Sequence, residues 1–388
     1  MNLYLDHAAT TKPYPQVVEL MHDVANIGNP SSLHRQGRDA ATQIQAARQQ
    51  IADMLEVHSK GIVFCSGATE ANNLAVFGNV RALGTKPKHL ITSSIEHPSV
   101  LEPFRQLERE GWSVTYLPCS RSGKVELSAF AQAIRSDTVL ASIMLVNNET
   151  GILQSVQSMA KIARERDVVF HCDAVQGCGK LDIRPKNLGI DLMTLSGHKI
   201  GGPRGIGVLV RSYVEADRSA TRRSMSAMLH GGGQEFGLRP GTENGPAILG
   251  LALALRLTLR EQASNVEKLK KLNQLLLREL KGKIPSLVEI GSLDPKDRAA
   301  HIACVAIPGI SSDLLITRVD QQGLSIASGS ACHSGKLGVS PVLQAMGIEP
   351  MMAQGMLRFS LAAHQSQEEM SQAAELVHQA WKSSCSGR

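Results

Sequence analysis

Aromatic residues are scarce in this chain, since Trp, Tyr and Phe together make up 3% of its 388 residues. Proteins that bind single-stranded nucleic acids stack bases on such side chains, so the composition disfavours that class. Long basic blocks are also missing, because the 41 basic and 35 acidic residues are scattered and the formal net charge is only +6. We therefore expect no nucleic-acid partner.

Long hydrophobic runs are absent as well. The longest apolar run outside glycine, residues 251–255, is far shorter than the about 20 residues that span a membrane. Residues 1–7 lack the basic start and apolar core of a secretory signal. The seven cysteines are odd in number and show no CxxC spacing, which indicates reduced thiols. We expect no membrane association and a cytoplasmic location.

The apolar pattern predicts an α/β fold. The segments that read as strands alternate with segments of helical periodicity, and they are residues 62–65, 89–92, 139–146, 168–171, 191–195 and 206–210. Strands that are buried on both faces and separated by helices favour a mostly parallel sheet sandwiched by helices.

A second, smaller α/β domain is predicted in the C-terminal part. Residues 248–281 show the leucine stripe of one long amphipathic helix. The segments that follow it predict strands at 302–307 and 357–361 and helices near 313–322 and 368–381. We place the boundary near Leu257, with a large domain over 14–256 and a small domain formed by 1–13 and 257–388.

Lys199 follows a predicted strand and precedes the glycine-rich segment 201–205. Ligands of open α/β sheets bind at such strand ends. A lysine there suits a Schiff base with an aldehyde cofactor, because desolvation frees its amine. The alternative is an exposed loop lysine.

Asp173 comes directly after another buried strand. A carboxylate there can pair with the protonated pyridine nitrogen of pyridoxal phosphate, although an N-cap aspartate is the common alternative. A zinc site made of His171, Cys172 and Cys178 is disfavoured, because strand alternation puts the first two on opposite faces.

The turn at residues 66–70, Ser-Gly-Ala-Thr-Glu, has the small residues that let backbone N–H groups close around a phosphate. Many strand-to-helix turns share this composition. His97 follows a further strand, where a lone histidine is more often structural than catalytic.

Cys332 differs from the other cysteines because it stands in the polar, glycine-rich segment 327–335, next to His333. An accessible thiol beside a histidine on a loop suits a nucleophile that has to move. The alternative is an incidental loop cysteine. Cys65, Cys172 and Cys304 fall inside apolar strands, where thiols act as inert small hydrophobes.

Ten motifs in chain order resemble the group I cysteine desulfurases of the NifS/IscS type, which are pyridoxal-phosphate enzymes of aminotransferase fold type I, class V. They are residues 4–11, 28–34, 66–70, 96–97, 146–151, 173–176, 196–199, 239–242, 329–332 and 357–360. The resemblance implies a seven-stranded-type sheet with a smaller domain, and a homodimer. It also implies that sulfur is removed from L-cysteine to give L-alanine and a persulfide for a sulfur-acceptor protein, in iron–sulfur cluster assembly or thiolation.

The resemblance also implies roles for individual residues, with no metal. The expected catalytic residues are Lys199, which binds the cofactor and moves protons, His97, which stacks on the ring and acts as acid and base, and Cys332, which attacks the substrate sulfur. The expected cofactor-binding residues are Ala68, Thr69, His97, Asn148, Asp173 at the pyridine nitrogen, Gln176 at the phenolic oxygen, Ser196, His198, Lys199, and Thr242 from the second subunit. The expected substrate-binding residues are Asn148 and Arg358.

Two departures from the family pattern bear on the acceptor. His333 stands where threonine or serine is common, and the tail after Arg358 has only 30 residues. The nearest alternative function is a selenocysteine lyase or another class V enzyme for which Cys332 is not essential. A cofactor-free sulfur carrier is the alternative from a different class.

Overall fold

The computed structural model describes residues 3–84, 86, 88–213, 224–329 and 339–385. Cys332 and His333 therefore lie outside the described residues. The strands are β1 (Leu3–Tyr4), β2 (Ile62–Cys65), β3 (His89–Ser93), β4 (Ser113–Leu117), β5 (Thr138–Ser142), β6 (Val169–Asp173), β7 (Leu192–Ser196), β8 (Gly207–Arg211), β9 (Val288–Glu289), β10 (Ile302–Ala306), β11 (Leu324–Ser325) and β12 (Met356–Ser360).

Helices cover both faces of the sheets. The α-helices are α1 (Pro15–Asp23), α2 (Arg35–Leu55), α3 (Ala68–Asn73), α4 (Asn79–Ala82), α5 (Pro98–Arg109), α6 (Leu127–Ala133), α7 (Val156–Glu165), α8 (Pro185–Leu188), α9 (Gly245–Arg260), α10 (Gln262–Lys283), α11 (Ser312–Gln321), α12 (Pro341–Ala345), α13 (Pro350–Ala353) and α14 (Gln367–Cys385). A π-helical turn, Leu74–Gly78, joins α3 to α4 in one continuous helix.

The central sheet has seven strands in the order β2-β8-β7-β6-β5-β3-β4. The pairs within β7-β6-β5-β3-β4 are parallel, and β8 is antiparallel to both of its neighbours. The predicted α/β class with a mostly parallel sheet is confirmed. Because β8 alone is reversed, the carboxyl ends of β2, β3, β5, β6 and β7 all lie at one edge of the sheet.

Side-chain alternation in the central strands supplies two apolar cores. In β2, Ile62 and Phe64 join the core under α2 and α9, whereas Val63 and Cys65 join the core on the opposite face, which includes Phe104 of α5. Strands buried on both faces explain why the sequence shows continuous apolar runs there.

The C-terminal part contains a second sheet in the order β12-β10-β9, which is antiparallel. The N-terminal strand β1 pairs with β11 in a separate parallel ladder. The apolar core beside this sheet draws on both ends of the chain, since Leu3 and Leu5 pack with Leu276, Phe359 and Val377.

The structure corrects three details of the predicted elements. The prediction of a single helix over 248–281 is wrong, because the chain turns at Glu261 (φ −99°, ψ 0°) between α9 and α10. The two halves serve different cores, with Leu255 beneath the large sheet and Leu276 beside the small one. The strand over 139–146 ends earlier, at Ser142, and β4 lies in a segment where no strand was predicted.

Candidate active site

A cavity of about 550 Å³ opens at the edge of the central sheet where the strands end. Its lining includes ten of the residues expected at the site: Ala68, Thr69, His97, Asn148, Asp173, Gln176, Ser196, His198, Lys199 and Arg358. Thr242 is exposed and does not line the cavity in the part of the chain that the structure describes.

Lys199 ends a short 3₁₀ turn, Gly197–Lys199, directly after β7. Its Nζ donates hydrogen bonds to the carbonyl oxygens of Ala8 and Ala9, each 2.6 Å away. The lysine is therefore half-buried against the N-terminal segment and is not the exposed loop lysine of the alternative interpretation. Gly197 is required in this turn, because a Cβ atom would come within 2.7 Å of the Pro203 carbonyl oxygen.

Asp173 is the last residue of β6 and only 7% exposed. Its Oδ2 accepts a hydrogen bond of 2.8 Å from Nδ2 of Asn72, and its Oδ1 accepts one of 3.1 Å from the backbone N–H of Val175. These bonds hold the carboxylate in one orientation at the cavity wall. They also leave it a hydrogen-bond acceptor for a protonated ring nitrogen.

His97 is connected to Asp173 by a chain of hydrogen bonds. Asn72 donates to the hydroxyl oxygen of Ser99 at 2.8 Å, and that oxygen lies 2.8 Å from Nδ1 of His97. The backbone N–H of Ser99 also donates to Nδ1, at 3.1 Å. Since Nδ1 accepts this bond, the neutral imidazole carries its proton on Nε2. His97 also caps α5, so the structural role considered for it is present together with its place in the cavity.

The turn between β2 and α3 lies at the same edge. Glu70 stabilises it, because Oε2 accepts the N–H of Ser66 at 2.6 Å while Nε of Arg239 lies 3.0 Å from Oε1. A Cβ on Gly207 would lie 2.6 Å from the carbonyl carbon of Gly67. This close approach of two glycines lets the first turn of the helix lie against β8 at the cavity.

His198 contacts the N-terminal segment through Nδ1, which is 3.2 Å from Oγ1 of Thr10. Burial lowers the pKa of His198 to about 4, and the positive charges of Lys199 and Arg204 act in the same direction. The ring is therefore neutral near pH 7 and can take part in hydrogen bonds without adding a charge.

Arg358 lies on β12 of the second sheet and is 2% exposed. Its guanidinium donates to the Asn148 carbonyl oxygen at 2.9 Å and to Oδ1 of Asp6 at 2.7 Å. Its Nε is buried and has no hydrogen-bond partner among the described residues. The backbone of Arg358 exchanges two hydrogen bonds with the backbone of Ala327.

Two buried acids near the site were not singled out from the sequence. Burial raises the pKa of Glu96 to about 8 and that of Glu149 to about 7. Glu96 accepts hydrogen bonds from the hydroxyl of Ser93 and the N–H of Met144, and Glu149 accepts one from the hydroxyl of Ser340. A protonated carboxyl at these positions avoids placing an unpaired negative charge inside the protein.

Comparisons with known proteins agree with the fold. The chain matches the family model described as aminotransferase class-V over residues 3–372. It is 37% identical over 377 residues to cysteine desulfurase IscS of Dictyoglomus turgidum, covering 97% of this chain and 93% of that protein. It is 41% identical over 380 residues to cysteine desulfurase IscS of Escherichia coli O139:H28, covering 97% and 91%. A solved structure of a NifS-like protein superimposes with a TM-score of 0.89 at 30% identity, covering 98% of this chain and 100% of that one.

Proposed function

The chain belongs to the class-V aminotransferase family, and on that basis we propose that it is a pyridoxal-phosphate-dependent cysteine desulfurase. Its cofactor is pyridoxal 5'-phosphate. Its substrate is L-cysteine, and its products are L-alanine and a sulfur atom that Cys332 carries as a persulfide. An acceptor protein then removes this sulfur.

One observation carries the proposal: Lys199, Asp173 and Arg358 line the same cavity. They supply an amine, a carboxylate and a guanidinium. These are the groups that an aldehyde, a protonated pyridine nitrogen and an amino-acid carboxylate require.

The chemistry of the donor set fits the cofactor. Lys199 would hold its aldehyde carbon, and Asp173 would pair with the ring nitrogen. Pyridoxal phosphate, when bound, supplies an electron sink for the electron pair that remains after a bond to the substrate α-carbon is broken. Asp173 sustains this property because its fixed carboxylate favours the protonated form of the ring nitrogen. Lys199 then moves a proton at the substrate α-carbon.

Four further residues complete the phosphate side of the site. The backbone N–H groups at the start of α3 belong to Ala68 and Thr69, and Ser196 and His198 lie at the end of β7. Backbone N–H groups at the start of a helix favour an anion. The helix here continues through the π turn to Ala82, which gives it enough length for a dipole.

His97 and Gln176 would contact the ring itself. Because Nδ1 of His97 accepts from Ser99, the neutral ring presents its Nε2–H as a hydrogen-bond donor. Gln176 would donate an amide N–H to the phenolic oxygen.

Arg358 and Asn148 would bind the substrate carboxylate. The planar guanidinium suits a carboxylate because it offers parallel N–H donors. Support comes from the position of Arg358 in the lining of the cavity. The ion pair with Asp6 fixes the guanidinium plane before substrate arrives.

Cys332 would be the nucleophile. Its thiolate attacks the sulfur of the bound cysteine, so that an S–S bond forms and the C–S bond of the substrate breaks. The electron pair of that C–S bond stays with the three-carbon product, which gains protons to become alanine. Support comes from Ala327, which stands five residues before Cys332 and pairs through its backbone with Arg358.

The enzyme would act as a homodimer in which Thr242 of one subunit reaches the phosphate of the other. The position of Thr242 outside its own cavity supports this arrangement. Exposed apolar side chains are a second support, since Leu33, Leu229 and Phe236 are 91%, 52% and 45% exposed. Such side chains are available to an interface.

The acceptor and the location follow from the same function. We assign the persulfide sulfur to iron–sulfur cluster assembly or thiolation, because the relatives carry the name IscS. We infer a cytoplasmic location, which agrees with the free state of the six described cysteines. No helix within the described ranges is long and apolar enough to cross a bilayer.

The two domains would be 14–256 and the combination of 1–13 with 257–388. The core beside the second sheet supports this division, because its members all come from the two ends of the chain. Some residues of the second part, such as Ile290 and Val342, also pack against the core of the large sheet. The cavity lies where the two parts meet, since Ala8 and Arg358 line it together with Lys199.

The direct test compares Cys332→Ala with Cys119→Ala in alanine and sulfide release from L-cysteine. Cys332→Ala should abolish release and keep the visible absorption of the bound cofactor, whereas Cys119→Ala should resemble the wild type. Turnover of cysteine by Cys332→Ala would favour the alternative enzymes. Failure of the wild type to acquire a visible band with pyridoxal phosphate would refute the cofactor-dependent function altogether.

A further inference from the structure

A buried histidine lies behind the cavity wall. His301 immediately precedes β10 and is 2% exposed. Its Nε2 lies 3.3 Å from Oε1 of Gln176, which lines the cavity. The backbone of His301 is fixed, since its carbonyl oxygen accepts the N–H of Leu361 at 2.8 Å. Nothing in the sequence singled out this residue.

The other contact of Gln176 determines the direction of this hydrogen bond. Nε2 of Gln176 lies 3.0 Å from the carbonyl oxygen of Ala8. A backbone carbonyl can only accept, so the amide nitrogen must face Ala8 and the amide oxygen must face His301. An amide oxygen can only accept as well. His301 therefore carries a proton on Nε2 and donates it to Gln176.

The remaining ring nitrogen shows that this histidine is neutral. Nδ1 of His301 is buried and has no hydrogen-bond partner among the described residues. A second proton there would be an unpaired buried charge. Burial lowers the pKa of His301 well below its usual value, and the nearby Lys180, His7 and Arg358 lower it further. The Nε2–H tautomer is thus the single state that satisfies both Ala8 and Gln176.

We propose that His301 is a positioning residue that, together with the Ala8 carbonyl oxygen, fixes which end of the Gln176 amide faces the cofactor. This inference rests on the proposed function, in which the phenolic oxygen of the cofactor accepts an N–H from Gln176. Without the donor on His301, only the Ala8 carbonyl oxygen, which Lys199 also uses as an acceptor, opposes rotation of the amide. A turned amide would present its oxygen to the phenolic oxygen, and these two acceptors would repel each other. The donor orientation stabilises the deprotonated phenolic oxygen and thereby sets the pH at which the visible band of the bound cofactor changes.

Two variants separate positioning from packing. His301→Leu keeps a side chain of similar volume but removes the donor, whereas His301→Gln keeps a donor nitrogen at a similar distance from the backbone. In His301→Leu we expect the midpoint of the pH-dependent change of the visible band to rise by about 0.5–1 pH unit, as one hydrogen bond to the phenolic oxygen is weakened. We also expect the affinity of the apoprotein for pyridoxal phosphate to fall several-fold. His301→Gln should restore both.

Several outcomes would overturn the proposal. An unchanged midpoint in folded His301→Leu would do so, as would an equal shift in both variants, because that would mean a purely structural role. If His301→Leu does not fold, the ¹⁵N spectrum of histidine-labelled wild-type holoenzyme decides the question. We expect a protonated Nε2 and a bare Nδ1 for His301, and a proton on Nδ1 would refute the inference. A wild-type protein that acquires no visible band would instead refute the proposed function.

Discussion

Nδ2 of Asn72 lies 2.8 Å from Oδ2 of Asp173 and, through its second proton, the same distance from the hydroxyl oxygen of Ser99. Asn72 is completely buried. One amide therefore links the carboxylate proposed for the ring nitrogen to the serine that orients His97. Asn72 does not line the cavity, but it fixes the position of Asp173 relative to His97 on the two sides of the proposed ring site.

Replacement of Asn72 by alanine should weaken both stability and cofactor binding. The loss removes the donor to Oδ2 of Asp173 and to the hydroxyl oxygen of Ser99, which costs about 1–3 kcal/mol in the free energy of unfolding. Urea titration measures this cost, and titration of the apoprotein with pyridoxal phosphate measures the affinity. Asn26→Ala is the matched control, because Asn26 is exposed. Equal behaviour of the two variants would show that the link through Asn72 is unimportant.

The segment that carries Thr242 is anchored by a buried ion pair. The guanidinium of Arg48 binds both carboxylate oxygens of Glu235, at 2.8 and 2.6 Å, and both side chains are nearly inaccessible. Glu235 also accepts the backbone N–H of Phe64 and adopts a left-handed conformation with φ of 48°.

Breaking this pair should be costly because one buried charge remains. Glu235→Gln is expected to lower the free energy of unfolding by about 3–5 kcal/mol. Arg135 and Asp137 form an exposed pair, and Asp137→Asn should leave the melting temperature unchanged. Denaturant unfolding of both variants makes the comparison, and a similar loss in each would contradict the assigned importance of the buried pair.

Glu96 should make stability depend on pH. Burial raises its native pKa from 4.5 to about 8, so the native state holds the proton more tightly than the unfolded state. Its contribution to stability is complete below pH 4.5 and is lost as the pH rises to 8, by up to about 1.4 kcal/mol per pH unit. Glu149 titrates in the lower part of this window, since its pKa is raised to about 7.

Between pH 7 and 8 the titration of Glu149 contributes least to the change in stability, so this interval is the best one in which to test Glu96. Wild type should lose stability across it, and Glu96→Gln should lose less, because its amide keeps the acceptor for Ser93 and Met144 and has no proton to release. Glu110→Gln, an exposed substitution, should follow the wild type. Parallel curves for wild type and Glu96→Gln would show that Glu96 is already ionised in the native protein.

Arg358→Lys should impair binding of L-cysteine more than the chemical steps. A lysine ammonium retains the charge but loses the planar pair of donors, and the loss of one charged hydrogen bond raises KM about tenfold or more. The comparison variant is Asp6→Asn, which keeps a hydrogen-bond acceptor for the guanidinium at that position. Steady-state kinetics should show a smaller rise in KM for it, and an unchanged KM in Arg358→Lys would remove Arg358 from the substrate site.

Local patterns predicted much of the fold. The runs at 62–65 and 89–92 correspond to β2 and β3, because continuous apolar residues fit strands that are buried on both faces. The break at Glu261 could not be predicted, since no glycine or proline marks it and the leucine periodicity continues through it. Only the presence of two separate cores explains that turn.

The expected site residues came from strand ends and motifs, which is why ten of them meet in one cavity. The residues that contact and position these site residues are not marked by a strand end or a motif in the sequence. Asn72, Ser99 and His301 act through contacts between segments far apart in the chain, at separations of 27 residues for Asn72 with Ser99 and 125 for His301 with Gln176. Periodicity and spacing carry no information about such contacts.

The most direct test of the central claim is mass spectrometry of the purified holoenzyme after incubation with L-cysteine and before any acceptor is added. The account predicts one added sulfur atom on the peptide that contains Cys332 and its absence in Lys199→Ala, which lacks the amine that activates the substrate. Added sulfur on another cysteine, or none while alanine is formed, would contradict it.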